Sequence, residues 1–186
     1  MSIAVIALRI VALLAFAAPL LLCDGRSKER ARQGAGGRAP VIANLLVFAL
    51  FLATLLLFSS YPDKAALGAA LLGSIIAVVG AGLILRSRVE LGPAWSLAPM
   101  ADQRTGLVTT GPYRVVRHPI YLGLTLVAAG QALAFASWPA LLVVLIGIIP
   151  TFAWRALAEE QLLACVFGED YARYRRQTKM IIPYLV

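Results

Sequence analysis

Residues 107–123 read LVTTGPYRVVRHPIYLG, and this stretch passes without a break from a polar segment into an apolar run. It holds the only histidine of the chain, His118, between Arg117 and Pro119. Proline just inside the start of an apolar run marks a helix N-terminus. Arginines and tyrosines at such a boundary have two readings of equal weight. One is a connector whose arginines face lipid head groups; the other is a loop built to hold a ligand.

On both sides the composition settles the class. The 186 residues are 61% hydrophobic and 14% charged, with a mean hydropathy of +0.84, which no soluble domain of this size approaches. The chain therefore reads as an all-α integral membrane protein with five spans near residues 2–23, 41–60, 65–85, 119–136 and 138–158, each about as long as a bilayer core requires. Arg9, two turns into the first span, is expected to snorkel to the interface. Glycines at 68, 73, 80 and 82 suit close helix packing in the third span. The short connector at residues 61–64 makes spans two and three antiparallel neighbours, and spans four and five form a hairpin. Trp138 fits an interfacial anchor. Pro150 should kink the fifth span unless neighbours satisfy the carbonyl it frees.

A net charge of +8 raises nucleic acid as a partner, but long apolar spans interrupt the basic residues, so anionic head groups fit better. Residues 24–40, 86–117 and 155–186 carry five Lys or Arg each, leaving only Arg9 and Lys64 elsewhere. With five spans those three segments lie on one face, and the positive-inside rule makes that face cytoplasmic, with the N-terminus outside. Cys23 and Cys165 have neither disulfide nor metal spacing and read as small core residues; no metal is expected. No repeat is present, so one domain covers 1–186.

The second polar-apolar boundary is WRALAEEQ, residues 154–161. Arg155 and Glu159 are four apart and share a helix face, while Glu160 points about 100° away. A solvated ion pair and a functional acid pair facing the bundle are equally open readings.

These two stretches, with the tail FGEDYARY at residues 167–174, carry the motifs RHPxYxG, RxxxEE and FGxxYxxY in one order and spacing. Together they resemble the isoprenylcysteine carboxyl methyltransferase family and, more broadly, the small integral-membrane phospholipid methyltransferases. The resemblance covers residues 86–186 and implies that this half binds S-adenosylmethionine through a cytoplasmic loop and a C-terminal tail helix. It implies a cofactor pocket of Tyr113, Arg117, His118, Pro119 and Tyr121, with Glu159 and Glu160 as its acidic side. Gln103, Thr105, Gly106, Leu107 and Val108 would approach the adenosyl group, and Tyr171 and Tyr174 would cover the pocket. Arg155 and Glu159 would be catalytic, Arg155 beside the acceptor.

The donor's chemistry suits those residue types. Its amino group needs a carboxylate, its carboxylate a cation such as Arg117 with His118, and its adenine an apolar slot near Leu107, Val108 and Tyr121. Methyl transfer needs alignment and exclusion of water, and a base such as Glu159 only if the acceptor is an amine. The implied acceptor is lipophilic and enters from the bilayer; it is an isoprenylcysteine-like carboxylate, a phosphatidylethanolamine amine or a thiol. A bacterial inner membrane is the expected location. A membrane reductase using NADPH and a non-catalytic assembly subunit remain as alternatives, although no GxGxxG follows a strand.

Overall fold

The computed structural model of the protein describes residues 3–21, 38–59, 65–92 and 106–181. Among them every extended element is helical: α1 (Ile3–Leu21), α2 (Arg38–Leu57), α3 (Ala65–Leu91), α4 (Pro119–Ala134), α5 (Trp138–Val143) and α6 (Ile149–Gln177). A 3-10 turn, Gly111–Arg114, precedes α4, and one π turn, Val144–Ile148, joins α5 to α6. Gln103 and Thr105 lie outside the described residues, as does Cys23.

Two helical runs, Leu67–Leu91 and Trp138–Gln177, are long and apolar enough to cross a membrane; α1, α2 and α4 contribute shorter apolar stretches. Leucines and isoleucines such as Leu14, Leu46, Leu56, Leu72 and Ile146 point outward, while Asn44, Ser74, Ser87 and Gln131 are buried. Apolar side chains outside and polar ones inside suit a hydrocarbon environment.

α3 and α4 make the most intimate contact. Gly73 lies against the backbone of Gly130 and Ala134, and Gly80 against that of Gly123. A Cβ on Gly80 would sit 2.6 Å from the Gly123 carbonyl oxygen, and one on Gly130 would sit 2.6 Å from the Ala77 nitrogen. Pairing 73 with 130 and 80 with 123 makes the two helices antiparallel. Gly68 and Gly82 meet open space, so only Gly73 and Gly80 of the four expected glycines permit the approach.

α1 docks on this pair through Val5, Arg9 and Ala12, which share one face. Ser74 donates to the Leu8 carbonyl at 2.8 Å, and Gln131 to that of Ala12 at 3.2 Å. Arg9 does not snorkel. Its Nε donates to the Ala134 carbonyl at 3.0 Å and its guanidinium lies 5.1 Å from the Phe135 ring centroid. The Ala134 carbonyl ends α4, where the helix carries partial negative charge, and it holds the cation.

α2 also departs from expectation. Its principal packing partners are α5, the π turn and α6, not α3, despite the short connector expected at residues 61–64. Phe51 and Leu55 enter the core with Val143, Val144, Ile148 and Phe152. The hairpin between α4 and α5 forms as expected: Ala136 takes φ +49, and Ser137 accepts from the Ala140 amide. Trp138 is exposed, as an anchor would be. Pro150 lies in the first turn of α6, immediately after the π turn, whose wider winding accommodates the ring.

Two boundaries differ. α3 runs two turns past the expected end at residue 85, because Arg86 and Glu90 pair across one turn at 2.7 Å and keep it helical. The expected tail helix is a continuation of the fifth span, broken only at Gly168, whose φ of +50 and ψ of −118 only glycine adopts readily. Cys165 is exposed on this continuation, not a core residue.

Candidate active site

The loop before α4 is held from three sides. Thr110 donates to a Glu90 carboxylate oxygen at 2.9 Å, and Gly111, at φ +58, leaves room for that side chain: a Cβ there would lie 2.6 Å from Glu90 Cγ. Tyr174 Oη, on α6, donates to the Tyr113 carbonyl at 2.7 Å. The segment after α6 then returns alongside. The Arg117 amide donates to the Lys179 carbonyl at 2.7 Å and the His118 amide to that of Met180 at 3.0 Å, with a parallel bridge between Val116 and Lys179. Ile181, at the end of this clasp, is buried in the core.

So braced, His118 caps the start of α4 and Pro119 occupies its first turn. His118 lies between the two acids of α6: Nδ1 is 3.5 Å from Glu159 Oε2 and Nε2 is 3.6 Å from Glu160 Oε1. Arg117 Nε bonds Glu160 Oε1 at 2.7 Å, its Nη1 donates to the carbonyls of Thr178 and Arg175, and Arg175 Nε stands 3.6 Å from Glu160 Oε2. Arg155 pairs with Glu159 at 3.4 Å, and Tyr121 Oη donates to the same carboxylate. The expected pairing of Arg155 with Glu159 is thus present, but it is part of a part-buried network joining both polar stretches.

Aromatic rings form the floor. The rings of His118 and Tyr121 stack at 5.5 Å, those of Tyr121 and Phe152 at 5.0 Å, and Phe48 meets Phe152 at 6.0 Å. Arg155 lies 5.7 Å from the centroid of Tyr121.

Charge and burial compete in this cluster. Burial opposes a charge on His118, but the flanking carboxylates outweigh it and raise the pKa above 6.5. Burial likewise opposes ionisation of Glu160, which lies beyond the apolar part of the helix, yet His118 and Arg117 pull its pKa down to about 2. Burial pushes the Tyr174 hydroxyl up to about 12 and raises that of Tyr113 as well, so both are neutral.

Two polar atoms are left over. His118 Nε2 and Tyr171 Oη are buried without a hydrogen-bond partner. Buried polar atoms are rarely orphaned, and two beside an acid pair, two arginines and a stacked aromatic floor fit a ligand carrying both charges and an aromatic ring. S-adenosylmethionine has that character. A groove lined by Gly168, Tyr171, Ala172, Arg175 and Arg176 opens alongside.

Of the residues expected at the site, Arg117, His118, Tyr121, Arg155, Glu159 and Glu160 meet directly, and Tyr113, Pro119 and Tyr174 brace them. Tyr171 is buried beside Tyr174, with ring centroids 6.2 Å apart. Gly106, Leu107 and Val108 precede the turn, and no hydrogen bond ties them to the cluster. Sequence reading missed Phe152, Arg175, Glu90 and the 178–181 clasp. Arg86 and Glu90 at i,i+4 were a usable signal; backbone pairing by the clasp leaves none in residue type.

Comparison with known proteins agrees with the motifs. Residues 69–170 match the phospholipid methyltransferase family. The chain is 32% identical over 108 residues to the Protein-S-isoprenylcysteine O-methyltransferase of Schizosaccharomyces pombe, covering 56% of this chain and 46% of that protein. It is 29% identical over 84 residues to Protein-S-isoprenylcysteine O-methyltransferase A of Arabidopsis thaliana, covering 45% and 43%. It is 36% identical over 72 residues to Methanethiol S-methyltransferase 1 of Bradyrhizobium diazoefficiens, covering 39% and 24%. The chain thus spans less than half the length of each of these relatives. The family match extends over more than half of the chain and includes α3, the His118 loop and the twin acids, and the chain belongs to the phospholipid methyltransferase family.

Proposed function

We propose that the chain is an S-adenosylmethionine-dependent methyltransferase of the membrane that modifies a lipophilic acceptor. The observation that carries this reading is the placement of His118 between Glu159 and Glu160, with a buried Nε2 that makes no hydrogen bond. In this reading residues 1–186 form one domain with five spans, α5 and the first part of α6 making the fifth. Residues 86–186 are its cofactor-binding half. The antiparallel run of α3 and α4 supports alternate crossing, and the three basic segments support a cytoplasmic site, an outside N-terminus and a bacterial inner membrane.

S-adenosylmethionine supplies a methyl group made electrophilic by its sulfonium. Glu159 and Glu160 offer carboxylates to its ammonium, Arg117 and His118 offer positive charge to its carboxylate, and Tyr121, Leu107 and Val108 offer apolar surface to its adenine. Gln103, Thr105 and Gly106 extend that approach, and Tyr113, Pro119, Tyr171 and Tyr174 close and support the pocket. Arg155, above Tyr121 and paired with Glu159, orients the acceptor. A carboxylate or thiolate acceptor needs no base; an amine would give its proton to the Glu159 carboxylate. Aromatic walls and the clasp keep water from the reacting atoms.

The isoprenylcysteine relatives favour a carboxylate attached to a lipid tail as acceptor, and the methanethiol relative favours a thiol as the second reading. Incubation with methyl-labelled donor and either N-acetyl-S-farnesylcysteine, dihexanoylphosphatidylethanolamine or methanethiol separates them. Label is expected in a base-labile ester of the first. No transfer to any acceptor, together with no saturable binding of S-adenosylhomocysteine, would refute the reading.

A further inference from the structure

α2 brings one amide side chain into the interior. Asn44 is 7% exposed, and neither Nδ2 nor Oδ1 has a hydrogen-bond partner. A carboxamide offers two donors and an acceptor, and burying it unpaired in an apolar bundle is unfavourable. Leucine at that position would fill similar volume without the cost.

Its location follows from the register of α2 against α5 and α6. Ser137 donates to the Thr54 carbonyl, Gly147 lies against Val47, and the Phe48 ring meets Phe152. As residue numbers fall along α2 they rise along α5 and α6. Asn44, Phe48, Phe51 and Leu55 fall on one face at i, i+4, i+7 and i+11. One turn before Phe48, Asn44 comes level with the next turn of α6 after Phe152, where Ala156 is fully buried and small. Arg155 and Glu159 belong to that same turn and the one beyond. An unpaired amide therefore sits across a small residue from the acceptor side of the site.

We infer that Asn44 is a docking group for the polar head of the methyl acceptor, where α2 faces α6; this rests on the methyltransferase reading. To satisfy both amide atoms the head must present a donor and an acceptor together. An acylated amino acid head, with an amide N–H beside a carboxylate, does so. A simple amine leaves Nδ2 unpaired, and a small thiol leaves both atoms unpaired or nearly so. Asn44 is then a positioning residue that selects among head groups and takes no part in bond making.

The test is binding of N-acetyl-S-farnesylcysteine, without methyl donor, to the full chain in lipid nanodiscs. Wild type is expected to bind saturably, and Asn44→Leu and Asn44→Ala at least tenfold more weakly. Both variants should keep S-adenosylhomocysteine affinity within twofold and melt no lower than wild type, since an unpaired amide has been removed. Unchanged probe affinity in both variants would overturn the inference, as would no saturable probe binding to wild type. So would a joint fall in melting temperature and S-adenosylhomocysteine affinity, the mark of a structural asparagine. Asn44-dependent probe binding with neither methyl transfer nor S-adenosylhomocysteine binding would refute the proposed function and, with it, the acceptor role of Asn44, leaving head-group binding alone.

Discussion

His118 is the residue on which the two halves of the site converge, and its proton should be measurable in the stability of the whole chain. Because the neighbouring carboxylates raise its pKa, the folded state holds the proton more tightly than the unfolded state. That stabilisation is complete below the unfolded value of 6.5 and is lost as pH rises through the higher folded value. The melting-temperature difference between wild type and His118→Gln should therefore be largest near pH 6 and shrink toward pH 9. A difference that grows with pH would contradict the ion-pair geometry. Single residues were also where sequence reading reached furthest. The histidine, the twin acids and Arg155 stand out at the edges of apolar spans, but residue type leaves a head-group anchor or a solvated pair equally open, and only the family resemblance draws them into one site. Glu160 shows the limit: its 100° offset from Glu159 leaves its partner open, and only the fold brings Arg117 and Arg175 to it. Arg9 was misread for the same reason, since its carbonyl partner is 125 residues away.

Among the helices, α3 and α4 form the scaffold that carries the loop, and their contact is backbone against backbone. Gly130→Ala would put a Cβ among the main-chain atoms of Gly73 and Ala77, which cannot move as a flexible side chain can. It should cost about 1–3 kcal/mol, as overpacking does. Gly68→Ala, in open space on the same helix pair, should be neutral or stabilise by up to about 1 kcal/mol. Denaturant unfolding in detergent measures both, and equal effects would show that the close approach is not where the glycines place it. Helix existence was readable from hydropathy alone, but helix neighbours were not. A four-residue connector suggested that α2 lies on α3, whereas the apolar stripe of α2 finds its match in Val143, Val144, Ile148 and Phe152. Connector length limits which helices can touch; side-chain shape decides which do. Likewise, the run of polar residues after Leu85 read as loop, and an i,i+4 ion pair carries the helix to Leu91.

For the molecule as a whole, orientation in the bilayer is the prediction with the sharpest readout. Cys165 is exposed, beyond the apolar part of the last helix. In a Cys23→Ser background, a membrane-impermeant maleimide should label it in inside-out vesicles and leave it unlabelled in intact cells. Labelling in intact cells would place the acids on the outer face and end the cytoplasmic assignment. Charge counting alone predicts that orientation, because the rule depends only on where Lys and Arg fall between spans. What no count of charges or hydropathy contains is how residues 178–181 return to the loop.

That return has a consequence for biogenesis. The backbone partners of Arg117 and His118 are synthesised some sixty residues after them, at Lys179 and Met180. A nascent chain halted just before Lys179 would already carry every one of these helices, yet its imidazole loop would lack the segment that holds it. Competence for ligand should therefore emerge late and abruptly during translation, only once residues 178–181 have followed α6.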